Sequence, residues 1–171
     1  MNTCKQLAAV LSIIVLAASA HATKPSAHVV KACLQGESQG PATWTAIATT
    51  RVGSNDDFQG GYQATIFTIN GRNVGYAEKH GRDGLIWGRT IVPLRHATPL
   101  DQPPETPSTF TPTLADWSMV KQGSHRFLCV NFNFDGLGRS GSFQKVHGLY
   151  LMSIPRGKAK PKLFHGVRRI G

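Results

Sequence analysis

The chain has 171 residues, and its 19 Lys and Arg outnumber 9 Asp and Glu to give a net charge of +10 at neutral pH. That length suits one domain with a sizeable core, and no internal repeat or composition break marks a second. No C-x-x-C or H-x-x-x-H spacing occurs, so the sequence offers no metal-binding motif, and none of its motifs calls for a cofactor.

The N-terminus places Lys5 before an apolar run from Leu7 to Ala18, followed by the small residues Ala18-Ser19-Ala20 and Ala20-His21-Ala22. A positive start, a short apolar stretch and an A-x-A exit are the parts of a cleavable export signal. The run falls short of the roughly 20 apolar residues that a spanning helix needs. Residues 1–22 are therefore expected to be removed, with cleavage after Ala20 or Ala22. The working protein is expected in the periplasm or outside the cell, with no transmembrane span. Cleavage deletes Cys4 and leaves Cys33 and Cys129, 96 positions apart. In an oxidising compartment such a pair is expected to form one disulfide, tying an early strand to a late one.

Residues 23–171 read as a single all-β domain, an antiparallel sandwich or barrel of about eight strands. No convincing helical stripe interrupts the short runs rich in Thr, Val, Ile and Phe. Ala27–Cys33 and Trp44–Val52 are the first two expected strands. The clearest signal is Tyr62–Ile69, then Asn70-Gly71, then Arg72–Ala77, because Asn-Gly supplies the positive-φ pair of a tight hairpin turn. Leu85–Val92, Asp116–Lys121, Arg126–Phe134, Ser142–Ile154 and Leu163–Ile170 complete the set. Six prolines between Pro93 and Pro112 mark a long, stiffened loop, since proline cannot donate to a sheet ladder. Trp44, Trp87 and Trp117 fall in β-like runs and read as core.

Gly136-Leu-Gly-Arg-Ser-Gly141 matches G-x-G-x-x-G, but a strand-like run follows it where a helix is required, so a nucleotide cofactor is not expected. The same segment reads as the tip of a hairpin centred near Gly138. That register sets Cys129 opposite His147 and Asn131 opposite Lys145, on the face away from Leu128, Val130 and Phe132. His147 with Lys145 and a second histidine is one candidate acid–base set. His80 with Asp83 is another, an imidazole with a carboxylate to orient it, competing with a plain polar turn. The first set needs a convergence of side chains that the sequence does not display, and the second has no identifiable nucleophile nearby, so the enzyme question leans towards no.

Charge is the more distinctive feature. After Asp135 no acidic residue occurs, while Arg139, Lys145, Arg156, Lys158, Lys160, Lys162, Arg168 and Arg169 do. Such a field favours an anionic surface polymer, a lipid surface or nucleic acid. The expected function is therefore non-catalytic binding of an anionic partner through Arg156, Lys158, Lys160, Lys162, Arg168 and Arg169. A small His-dependent hydrolase such as a nuclease, and an inhibitor presenting the proline-rich loop, are the competing readings. Neither the ligand nor the oligomeric state is written in the sequence.

Overall fold

The computed structural model describes residues 24–47, 51–69, 71–107, 115–133, 146–157 and 159–169. The expected signal segment lies outside them. The first element is a helix, α1 (Ala27–Gln35), where the sequence pattern predicted a strand over Ala27–Cys33. Ser26 adopts an extended N-cap and its Oγ accepts the Val29 N–H at 3.3 Å. Gly36 ends the helix in the left-handed region at φ 65°, donating its N–H to Ala32 at 3.1 Å. Val29, Val30, Ala32 and Cys33 are buried on one helical face. The Val29-Val30 pair has β preference in isolation, but packing against a sheet and the two caps override it.

Eleven strands follow among the described residues: β1 (Ala42–Ala46), β2 (Arg51–Phe58), β3 (Tyr62–Ile69), β4 (Arg72–Lys79), β5 (Arg82–Trp87), β6 (Thr90–Pro93), β7 (Thr98–Pro99), β8 (Asp116–Gln122), β9 (His125–Asn133), β10 (Val146–Ser153) and β11 (Leu163–Arg169). They form two sheets that do not close into a barrel. The first has six strands in the order β1-β8-β9-β10-β11-β7, and the second is the five-stranded meander β2-β3-β4-β5-β6. The Asn-Gly hairpin stands as expected, with Ile69 opposite Arg72. The run Leu85–Val92 is split by a turn at Gly88 into β5 and β6, and Trp44–Val52 divides between β1 and β2 in different sheets. β7 lies parallel to β11, so the sheet is not purely antiparallel.

The six-stranded sheet is covered on both faces. Cys129, Leu149 and Leu151 pack against Val29, Val30 and Cys33 of α1, while Leu128, Val130, Phe132, Tyr150 and Met152 face the meander. From the meander Phe67, Val74, Tyr76 and Leu85 complete that inter-sheet layer, with Phe67 and Trp117 ring centroids 5.2 Å apart. The meander also curls. Gly75 sits between Ile66 and Ile86 at φ 150°, where a Cβ would meet the Thr65 carbonyl oxygen at 2.0 Å. Only glycine permits that approach. The curl lets Phe58, Ala64, Ile66, Ala77 and Ile86 form a small core of their own on the other face. Gln59 Nε2 donates to the Arg89 carbonyl, joining two turns across the rolled sheet.

Cys33 and Cys129 form the expected disulfide with Cα atoms 5.7 Å apart, although it joins a helix, not a strand, to β9. Ser26 Oγ also donates to Gln122 Oε1 at 2.6 Å, fixing the start of α1 to the end of β8. Replacing both cysteines by serine should lower unfolding stability by about 4–5 kcal/mol on the chain-entropy scale, less where the reduced chain keeps structure. Denaturant unfolding of oxidised wild type against the double variant measures this, and coincident midpoints would show that α1 is held by packing alone.

Candidate functional site

The predicted site residues that the structure describes are spread over several elements. The β9–β10 register is offset by four from the expected one: Cys129 faces Leu151, Asn131 faces Leu149, and His147 faces Asn133. The face assignment survives because the offset is even. Lys145 and the glycine-rich tip lie outside the described residues. His147 Nδ1 is 3.2 Å from Asn131 Oδ1, and Asn131 Nδ2 donates to the Leu34 carbonyl at 3.1 Å. Asn131 thus satisfies the C-terminal end of α1 and holds His147 beside it. They line a 450 Å³ cavity with Trp44 and Asp116, in which His147 is the only histidine among the described residues.

His80 is exposed in the β4–β5 turn at φ 50°. Asp83 accepts from the Tyr76 hydroxyl at 3.2 Å. Burial, then the Asp83 charge, pushes the Tyr76 phenol upward; the same two causes push Tyr150 up to about 12. Tyr150 is opposite His165 in the register, and the two rings are 6.5 Å apart. His165 is buried, its Nδ1 has no hydrogen-bond partner, and desolvation lowers its pKa. His28, His96 and His125 are exposed on other elements. Among the described residues no three His, Cys, Asp or Glu side chains could hold a metal ion.

The basic C-terminal residues fall into two groups. Arg168 and Arg169 are each bound by both oxygens of a carboxylate on the proline-rich segment, Asp101 and Glu105 respectively. The pairing with Arg169 lowers the Glu105 pKa. Leu100 anchors the same segment, with its N–H on the His165 carbonyl at 2.8 Å and its side chain buried in the helix-side core. Residues 98–105 are thus held against β11, preceded by a turn of 3-10 helix at Leu94–His96. Arg156, Lys160 and Lys162 are exposed, and Lys158 lies outside the described residues.

Arg156 lines a larger feature, a 770 Å³ cleft at one open end of the inter-sheet layer. Three further cations line it: Arg72 from β4, Lys121 from β8 and Arg126 from β9. All four are exposed, and among the described residues no carboxylate lines the cleft. Lys121 and Arg126 stand directly opposite each other in the β8–β9 ladder, an arrangement of like charges that destabilises a sheet. The apolar lining comes from Ile47, Ile69, Trp87 and Met119, half-buried side chains that continue the inter-sheet core outward, and from buried Ile154. Arg72 lies over the Trp87 ring with Cζ 4.9 Å from its centroid, which holds the guanidinium at the cleft. Arg72, Lys121 and Arg126 are not conspicuous in the sequence. They stand singly in segments that also carry acids, and only the packing of two sheets gathers them with Arg156.

Comparison of the chain with protein-family models, with curated proteins and with solved structures finds no match in any of the three.

Two outcomes follow from this geometry. Lys121→Glu should raise the denaturation midpoint at low salt by replacing a like-charge pair with an opposite one, and added salt should erase the gain. An unchanged midpoint at low salt would mean the two cations do not feel each other. The folded state keeps His165 neutral while the unfolded chain titrates near 6.5, so stability should fall as pH drops below 6.5 until the lowered folded pKa is reached. His165→Gln should flatten that part of the pH–stability curve measured by urea unfolding; an unaltered slope would assign it to other groups.

Proposed function

We propose that the protein is an exported, non-catalytic binding protein that takes an anionic partner at the cleft between its two sheets. The carrying observation is the convergence of Arg72, Lys121, Arg126 and Arg156 on a 770 Å³ cleft that no carboxylate among the described residues lines. Cations placed this way focus positive potential at the cleft, and an anion neutralises the otherwise unfavourable Lys121–Arg126 pair. The cleft volume falls within the roughly 300–1,000 Å³ of small-ligand sites. Export is supported by the signal-like N-terminus and by the Cys33–Cys129 bridge. Among the described residues no helix is long and apolar enough to cross a membrane.

The binding surface proposed here lies mostly outside the basic C-terminal region, which contributes only Arg156 to the cleft. Arg168 and Arg169 serve the fold through Asp101 and Glu105, while Arg156 joins the cleft and Lys160 and Lys162 extend positive charge beyond it. The proline-rich segment is committed to β11 over residues 98–105, which weighs against presentation of that part to an inhibitor's target.

Binding to phosphatidylglycerol vesicles and to heparin fragments tests the proposal. At low salt Arg126→Ala combined with Arg156→Ala should weaken binding to at least one of these probes by about tenfold or more, the scale of lost charge-assisted contacts. The Arg168→Ala, Arg169→Ala pair should weaken it less. Undiminished binding by the cleft variant, or no binding of either probe by wild type, would overturn the assignment.

A further inference from the structure

The geometry points to a specific class of occupant for this cleft: a monomeric single-chain amphiphile, its anionic head on the arginines and its hydrocarbon chain on the apolar floor. The inference rests on the cleft being the anion site proposed above. It adds that burial of hydrocarbon, and not charge alone, drives binding.

The first reason is the division of the lining by depth. Arg72, Lys121, Arg126 and Arg156 are exposed, whereas Ile47, Ile69, Trp87 and Met119 are half-buried and belong to the fringe of the inter-sheet core. The cleft is therefore the place where the sandwich interior opens to solvent, with cations at the opening. A purely hydrophilic polyanion would neutralise the cations and leave that floor wet. A neutral lipid would cover the floor and leave Lys121 facing Arg126 uncompensated. An anionic amphiphile satisfies both parts.

The second reason concerns aromatic stacking. Single-stranded nucleic acid uses exposed aromatic faces on which successive bases stack. Among the described residues Trp87 is the only aromatic side chain lining the cleft, and the Arg72 guanidinium already lies over its ring. The cleft thus offers cations, the threonines Thr43, Thr45 and Thr68, and an apolar patch, but among the described residues no run of stacking platforms.

Titration of the full, oxidised protein with butyl, octyl and dodecyl phosphate, read by tryptophan fluorescence and calorimetry below micelle-forming concentrations, decides the matter. Affinity should climb with chain length, at a full-burial limit of about fourfold per methylene, and by at least about tenfold from butyl to octyl. Octanol should bind more weakly than octyl phosphate. Arg126→Ala with Arg156→Ala should remove the advantage of the phosphate while keeping the chain-length trend. Met119→Glu, and independently Ile69→Asn, should suppress the trend; far-ultraviolet circular dichroism and the intact disulfide verify that each variant is folded. Trp87→Phe should abolish the fluorescence change while calorimetric binding persists. Affinity independent of chain length, or a trend untouched by both folded floor variants, would overturn the inference. If vesicles or heparin fragments bind through the arginines while alkyl phosphates do not, the amphiphile is wrong and the anion site stands. If no anionic probe binds, both fall together.

Discussion

Cys129 points towards α1 while its neighbours Leu128 and Val130 point into the inter-sheet layer, and all three are completely buried. A strand in this position has no solvent face. The molecule must therefore be three layers deep, helix, sheet and sheet, and the helix is as necessary as either sheet. The disulfide, the Ser26–Gln122 hydrogen bond and the Asn131–Leu34 hydrogen bond all act on that one contact. Polar side chains within the sheet, such as Asn131, are admitted where a backbone group needs a partner. With one face closed by α1, the layer on the opposite face opens to solvent at one end, where Ile47, Ile69, Trp87 and Met119 are half-buried.

That opening is where chemistry concentrates. The two sheets are joined through Phe67, Trp117, Val74 and Leu85 at their centre, and beyond that contact the side chains become half-buried and then charged. The cations come from the ends of three strands in two hairpins and from the Pro155–Gly157 bend. Strand ends are favourable places for like charges, since long side chains there reach water freely. Their gathering around a single opening, with no acid among the described residues that line it, sets this end of the molecule apart from β11, whose arginines are matched by carboxylates.

Legibility in the sequence followed the range of the interaction. Asn70-Gly71 is a local instruction, and the β3–β4 hairpin came out in register. The pairing of Cys33 with Cys129 needed only the removal of Cys4 from the reckoning. Alternation separated Leu128, Val130 and Phe132 from Cys129 and Asn131 correctly, but the length of the β9–β10 connection moved the register by four. The helix went unseen because nine residues carry too little periodicity to outweigh two adjacent valines. Its caps, Ser26 and Gly36, were the readable signal. Arg168 and Arg169 looked free because their partners Asp101 and Glu105 lie more than sixty positions upstream. The cleft is wholly a product of tertiary packing, with Arg72 and Arg156 brought together from opposite sheets.

The proline-rich segment has a bearing on the company this protein keeps with itself. A six-stranded sheet exposes a row of unpaired backbone groups at its margin, a template onto which a second chain can add. Here the margin beside β11 is occupied by β7, two residues long and ending in Pro99, whose nitrogen has no hydrogen to offer. Pro103, Pro104 and Pro107 continue the strip, and the Asp101–Arg168 and Glu105–Arg169 pairs plant charge along it. What reads in sequence as a long, stiffened loop is thereby a blunt selvage along the β11 margin, a poor template for edge-to-edge addition on that side of the sheet.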